Sequence, residues 1–302
     1  MRAILLVNRA SGGGKTEHII ETSKKRFEKE GYHLDVYFST RALDLEDKAL
    51  LWAQDYDLYL VCGGDGTFHE VVNGVMKSTV RPHIAVIPAG TVNDIAKILG
   101  IPKNIDKNLD LIFNSDPVEM DINQINDNYF TYVAGAGYLT EVSYQAKQEE
   151  KRKYGQLAYL KTGIKGLRKK PYFKAQIKCN GVTVEDEMSL IIMLSANQFG
   201  GLRLWQFSKK TKLNDGLVDI RIFKGRNLIL LARLVLFILL AGRKKYKEIH
   251  FSTNHAIITP LDDKPLNWNA DGEKVTVGKV EVKVIPRAIS VYVSDKQKKK
   301  LF

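Results

Sequence analysis

The chain has 302 residues, enough for two domains and a sizeable core. Its 44% hydrophobic and 26% charged residues exclude a disordered polymer, and its six histidines contain no pair at zinc-ligand spacing. Its two cysteines exclude a disulfide scaffold and fit a reducing cytosol. Lys and Arg number 46 against 34 Asp and Glu, a net +12. Residues 1–140 hold 14 basic and 19 acidic side chains (net −5), so residues 141–302, with 32 and 15, carry the whole excess (+17). The second half either meets an anionic surface, nucleic acid or acidic lipid, or carries a solvated basic face.

In chain order, strands are expected at Arg2–Val7, Leu34–Phe38, Leu58–Cys62 and Ile84–Ile87, with helices at Glu17–Glu30, Leu43–Gln54, Phe68–Met76 and Asn93–Leu99. Short apolar strands alternating with helices predict a doubly wound parallel α/β domain over residues 1–121. After Asp121 strands dominate: Tyr129–Ala134, Tyr172–Cys179, Ser189–Ser195, Leu217–Phe223, His255–Thr259, Lys274–Val277 and Val280–Ile285. Helices are expected only near Leu157–Leu167 and Leu228–Leu240, so residues 122–287 read as a mostly antiparallel β domain. Ala288–Val293 is a last strand without an assigned sheet, which leaves open whether 288–302 completes the first domain. Lys296–Lys300 reads as a solvated tail. No stretch has the form of a secretory signal, because the apolar run Met1–Asn8 meets a glycine-rich turn at once. Leu228–Ala241, interrupted by Arg233, falls short of the ~20 residues that span a bilayer. It reads as a buried helix, with membrane-surface contact as the second reading, and an integral membrane protein is not expected.

Chemistry concentrates in turns. Gly63-Gly64-Asp65-Gly66-Thr67 follows an apolar strand and precedes a helix. Its glycines let backbone N–H groups approach a phosphate chain, and the helix adds the positive end of its dipole. Asp65, a catalytic candidate, brings a carboxylate to the same turn, where it can hold a metal-bound phosphate or orient the acceptor. Taken alone, Gly-Gly-Asp-Gly is also an ordinary tight turn. A second turn, Pro88-Ala89-Gly90-Thr91-Val92-Asn93-Asp94, again lies between strand and helix, and the early Asn8…Ser11-Gly12-Gly13-Gly14-Lys15 turn falls at the same sheet edge. Ligands bind beyond that edge in open α/β sheets, so three such turns point to a nucleotide site. The early turn does not meet P-loop spacing.

Gly63–Thr67 within GGDGTFHEVVNGV and Gly90–Asp94 within PAGTVNDIAKILGIP resemble the diacylglycerol kinase catalytic family, in particular its bacterial soluble lipid kinases. YGQLAYL (Tyr154–Leu160), SANQFGG (Ser195–Gly201), LNDG (Leu213–Gly216) and DGE (Asp271–Glu273) follow in family order, so the resemblance covers nearly the whole chain. It implies an N-terminal α/β domain like that of NAD kinases and diacylglycerol kinases, and a C-terminal β-sandwich. It also implies transfer of the ATP γ-phosphate to a lipid hydroxyl. Asn8, Ser11 and Thr40 match positions lining the nucleotide pocket. Gly63, Gly64, Asp65, Gly66 and Thr67 match the triphosphate loop, and Thr91 and Asn93 the second phosphate turn. Asp215 matches the ligand of a structural Mg²⁺, with the carbonyls of Lys212 and Leu217 beside it. Glu273 matches the catalytic base and Asp271 its neighbour, although Asp-Gly by itself is a hairpin signal.

These roles suit phosphoryl transfer, which needs charge neutralisation and positioning. Trp205 and Phe207 read either as an acyl-chain path or as core. The basic clusters Lys151–Lys153, Arg168–Lys170, Lys209–Lys212 and Arg243–Lys247 come without a nucleic-acid recognition signature. The expectation is therefore a cytoplasmic enzyme docking peripherally on anionic membrane, with no nucleic-acid partner, and with strand edges open to pairing into a homodimer. A NAD or sugar-phosphate kinase of the same fold, and a non-catalytic nucleotide or lipid sensor, are the competing readings.

Overall fold

A computed structural model describes residues 1–9, 14, 16–137, 172–204, 206–207, 212–225, 227–243, 249–263 and 265–302. The chain divides into two units. The first comprises Met1–Ile122, Lys212–Asp215 and Pro286–Phe302, and the second Asn123–Thr211 and Gly216–Ile285. The expected helix at Leu157–Leu167 lies outside the described residues, as do Ser11, Trp205 and all four basic clusters wholly or in large part.

In the first unit, β1 (Ala3–Val7), β2 (Leu34–Phe38), β3 (Leu58–Gly63) and β4 (His83–Pro88) pair in parallel in the order β2-β1-β3-β4. Every residue of β1 and β3 is buried, as expected for strands covered on both faces. Helices α1 (Thr16–Lys29) and α5 (Ile105–Asn114) bring Phe27, Leu109 and Ile112 against Leu5, Leu60 and Ala85 on one face. On the other lie α2 (Asp44–Leu51) and α3 (Asp65–Lys77), where the Tyr59 hydroxyl donates to the Ala49 carbonyl at 2.9 Å. The two helices approach so closely at Gly74 that any Cβ there would collide with the Glu46 carbonyl. A short α4 (Asp94–Leu99) follows β4.

Three differences from the sequence expectation stand out here. Helix α3 begins at Asp65 rather than Phe68, so most of the glycine turn is the helix's first turn. Helix α5 was not foreseen; its N-cap Asn104 accepts the Lys107 N–H at 2.9 Å. The tail is no loose end but α7 (Asp295–Leu301), whose lysines are exposed while Leu301 is buried. The Ser294 N–H anchors it to the Leu99 carbonyl at 3.0 Å.

The second unit is a β-sandwich with a short antiparallel ribbon of β11 (Gln198–Phe199) and β12 (Leu202–Arg203). One sheet runs β14 (Ile249–Thr253), β13 (Val218–Phe223), β10 (Leu190–Leu194), β7 (Val133–Gly137), β16 (Asn267–Ala270), β17 (Glu273–Val277), antiparallel throughout. The other joins the first part of β18 (Val280–Val291) to β15 (His255–Pro260), β8 (Phe173–Cys179) and β9 (Val182–Met188), also antiparallel. Ile191, Met193, Ile220 and Trp268 of one sheet and Ile177, Ile258 and Val282 of the other fill the core between them. The two strands expected at 280–285 and 288–293 are one continuous strand, whose Val291 pairs in parallel with Ile84 in the first unit's sheet. Conversely, the strand expected at Tyr129–Ala134 is split into β6 (Asn128–Phe130), paired with β5 (Val118–Ile125), and β7.

Helix α6 (Asn227–Leu239) packs Leu230, Leu234 and Phe237 against the outer face of the β10–β13 sheet, over Leu190, Ile192 and Phe223. The sequence reads it as buried; its opposite face is exposed. Phe207 is buried in the same cluster, which makes it core rather than an acyl-chain path.

Candidate active site

The parallel register sets the carboxyl ends of the first unit's strands level: Val7 pairs with Cys62, and Gly63 with Pro88. The turns beyond them are tied together. The Asn8 N–H reaches the Cys62 carbonyl at 3.2 Å, and its amide Nδ2 donates to Thr67 Oγ1 at 3.0 Å. Both the Ala89 and Gly90 N–H groups donate to the Gly63 carbonyl, at 2.9 and 3.2 Å. A Cβ on Gly90 would stand 2.5 Å from the Gly64 Cα. Glycine is thus required where the two phosphate-type turns touch, and together they present one backbone surface.

Asn93 shapes the second turn from within. Its Oδ1 accepts the Gly90 N–H at 2.9 Å while its Nδ2 donates to the Gly90 carbonyl at 2.6 Å. Its φ of 54° is left-handed, a region Asn tolerates better than most side chains. Asp65 Oδ1 accepts the Ile95 N–H at 3.0 Å, so this carboxylate joins the first turns of α3 and α4. Gly64, at the N-cap of α3, supplies no side-chain cap, which leaves that helix end suited to an anion. Thr67 is buried, Gly64, Asp65 and Gly66 half-buried, and Thr91 exposed.

Thr40 follows β2 at the same edge and is exposed. Its N–H and hydroxyl both donate to buried Asp44, at 2.7 and 2.9 Å, and the Tyr37 hydroxyl adds a third bond at 2.9 Å. Burial alone would push the Asp44 carboxyl up, but these bonds outweigh it and hold the group below its ordinary value. Cys62 lies at the end of β3, where burial pushes its thiol up to about 12.

In the second unit, Asp271 and Gly272 form the two-residue turn between β16 and β17, with φ of 50° and 102°. Positive φ at both positions is the geometry that Asp-Gly favours in hairpins. Asp271 is buried, and its carboxylate accepts three backbone N–H groups: Thr131 at 2.7 Å, Tyr132 at 3.2 Å and Val133 at 3.1 Å. Its own N–H donates to the Val133 carbonyl at 2.8 Å. Glu273, two residues on, is exposed. The two carboxylates that look alike in sequence therefore differ sharply. One is sealed into the backbone where β7 begins; the other is open to solvent.

The Lys212–Asp215 segment belongs to the first unit. The Lys212 N–H donates to Asp215 Oδ2 at 3.2 Å, and Leu213 is anchored on both sides, to the Leu301 carbonyl and from the Asp121 N–H, each at 2.7 Å. Asp215, Lys212 and Leu217 are exposed. Among the described residues no three His, Cys, Asp or Glu side chains gather as a metal cluster. A carboxylate with backbone carbonyls is nonetheless an all-oxygen donor set, which suits Mg²⁺. The sequence reading missed Asp44 and Asp121. Asp121 Oδ1 accepts the Arg287 N–H at 2.7 Å and so ties β5 to β18.

Comparison with known proteins settles the family. The family model described as "Diacylglycerol kinase catalytic domain" matches residues 2–125, and that of the "YegS C-terminal NAD kinase beta sandwich-like domain" matches residues 133–293. A curated diacylglycerol kinase of Bacillus subtilis strain 168 is 32% identical over 274 residues, covering 90% of this chain and 89% of that protein. The chain belongs to the diacylglycerol kinase family. It is accordingly an ATP-dependent lipid kinase. A diacylglycerol kinase of Staphylococcus carnosus is also 32% identical, over 278 residues, covering 90% of this chain and 88% of that protein. The fold agrees: a crystal structure of a diacylglycerol kinase from Bacillus anthracis str. Sterne superposes with a TM-score of 0.78, 24% identity and 98% coverage of each chain.

Proposed function

We propose that this kinase transfers the γ-phosphoryl group of ATP to the free hydroxyl of diacylglycerol, yielding phosphatidic acid and ADP. The observation that carries the nucleotide half is the backbone contact between Gly64 and Gly90, which merges two phosphate-type turns into one surface. The names of the Bacillus and Staphylococcus relatives support the acceptor.

In this mechanism the N–H groups of Gly64–Thr67 at the start of α3 hold the triphosphate, with Gly63 and Thr67 packed beneath them. Asn8 and Thr40 line the nucleotide site, a role the family resemblance also gives to Ser11, and Thr91 and Asn93 present the second turn. Asp65 fixes the two helix starts relative to each other. Asp215, with the carbonyl oxygens of Lys212 and Leu217, would hold the structural Mg²⁺, and Mg²⁺ bound with ATP would supply neutralisation of phosphate charge. The Glu273 carboxylate accepts the acceptor hydroxyl's proton while that oxygen bonds to the γ-phosphorus and the bond to ADP breaks. Asp271 is a positioning residue that holds the β16–β17 turn on which Glu273 stands. The enzyme acts in the cytoplasm as a peripheral membrane protein. Strand β9 ends its sheet with Val182 exposed, an edge on which a second copy can pair.

An acceptor panel in mixed micelles with γ-labelled ATP and Mg²⁺ tests the assignment. Diacylglycerol should be labelled far faster than a prenol, a sphingoid base, a glycerophospholipid or free NAD. Preferential labelling of NAD, independent of detergent, would replace this acceptor with a soluble one.

A further inference from the structure

Helix α6 is apolar apart from Asn227 and Arg233, and it packs against the sheet along one face. Leu230, Leu234 and Phe237 face the sheet, while Ile229 and Leu239 stand 60% and 73% exposed, with Val235, Leu236 and Ile238 more than a third exposed. Five of the large exposed hydrophobic residues among the described ones therefore sit on a single thirteen-residue helix. Isolated exposed apolar residues need no explanation, but a contiguous ridge of Ile, Val and Leu does. The ridge stands on a fixed base. The buried Arg221 guanidinium donates to the carbonyls of Gly242, just past the helix, and of Phe207 beneath it. Arg233 donates to the Lys224 carbonyl and ties the helix's first half.

Charge says what covers this ridge. The helix contains no acidic residue and one charge, Arg233. The sequence continues at once through Arg243, Lys244, Lys245 and Lys247. A second copy would bring one strongly positive half, +17 over residues 141–302, against another, whereas an anionic bilayer offers headgroups to the cations and acyl chains to the ridge. At thirteen residues the helix is too short to cross a bilayer, so a membrane could take it only in the interfacial plane.

We propose that the outer face of α6 is the membrane-docking surface of this enzyme, with Ile229, Leu236 and Leu239 entering the headgroup–acyl boundary of an anionic bilayer and the exposed Arg243 binding its headgroups. This deepens, and rests on, the proposal that the acceptor is a membrane lipid.

Vesicle flotation without nucleotide scores docking apart from catalysis. The wild-type chain should float with phosphatidylcholine–phosphatidylglycerol vesicles and poorly with phosphatidylcholine alone. The Ile229→Ser/Leu236→Ser/Leu239→Ser variant should lose at least about tenfold in vesicle affinity, while keeping its melting temperature and its turnover of detergent-dispersed diacylglycerol. As a second probe, Trp at position 239 (Leu239→Trp) should be quenched by brominated lipid. Unchanged flotation of the triple variant, no quenching at 239, or a wild-type dimer that the triple variant splits would each overturn the docking assignment. Absence of lipid phosphorylation with flotation intact would instead overturn the choice of acceptor.

Discussion

Gly90 rests against Gly64, so close that a Cβ on Gly90 would stand 2.5 Å from the Gly64 Cα and 2.8 Å from Asn93 Oδ1. The two turns that follow β3 and β4 thus share one backbone surface, and Asn93 holds it from the side.

Gly90→Ala forces these turns apart. The expected outcome is a loss of ATP affinity of at least about tenfold, with destabilisation of about 1–3 kcal/mol from overpacking. Gly64→Ala, whose Cβ would meet only the Gly90 Cα at 3.3 Å, should be milder. Calorimetric titration with ATP and thermal melts of both variants check the ranking. Equal effects would mean that the contact does not shape the site.

Asp271 accepts three backbone N–H groups from a segment 138 to 140 residues away in sequence. Asp271→Asn replaces one carboxylate oxygen with an amide that opposes those donors. It should cost about 1–3 kcal/mol in stability and lower kcat by displacing Glu273. The pH profile of the residual activity should keep its wild-type shape, because the base itself remains. A shifted profile with an unchanged melting temperature would make Asp271 a proton-transfer group instead.

Asp44 gathers the Thr40 and Tyr37 donors, and its carboxyl is held below its ordinary value of 3.8. A carboxyl depressed in the folded state stabilises the fold at pH above its unfolded value and loses that contribution as pH falls through the folded value. Asp44→Asn should therefore lower the melting temperature near pH 7 and narrow the gap to wild type as the pH drops below about 4. Melting curves between neutral and acid pH decide this; a gap independent of pH would contradict it.

Cys62 and Cys179 are both buried, and burial raises both thiols, that of Cys62 to about 12. Neither should react with a thiol-specific disulfide reagent near pH 7 until the chain unfolds, since the thiolate is the nucleophile. Two thiols titrating rapidly in the native protein would contradict the placement of β3 and β8.

Much of the first unit was legible because its strands are buried on both faces and read as plain apolar runs, as in β1 and β3. Strand β9 was not, because its Val182–Met188 stretch includes exposed Glu185, half-buried Glu187 and Asp186, which pairs with Lys224, at a sheet edge. Strand β16 hid for a similar reason: only Trp268 and Ala270 face inward, and asparagines fill the alternate positions. The two glycine turns after β3 and β4 were legible from residue spacing. Separating Asp271 from Glu273 was not, because it depends on the contact with residues 131–133. The open face of α6 was equally unreadable, since a helix apolar on nearly every side carries no mark of which side is covered.

Proton abstraction by Glu273 during lipid phosphorylation is decided by following γ-labelled ATP with wild type and Glu273→Gln on diacylglycerol presented in anionic vesicles. Wild type should produce labelled phosphatidic acid, and the variant should do so at least about a hundredfold more slowly with ATP affinity unchanged. Equal rates in the two proteins, or no labelled lipid from wild type, would contradict it.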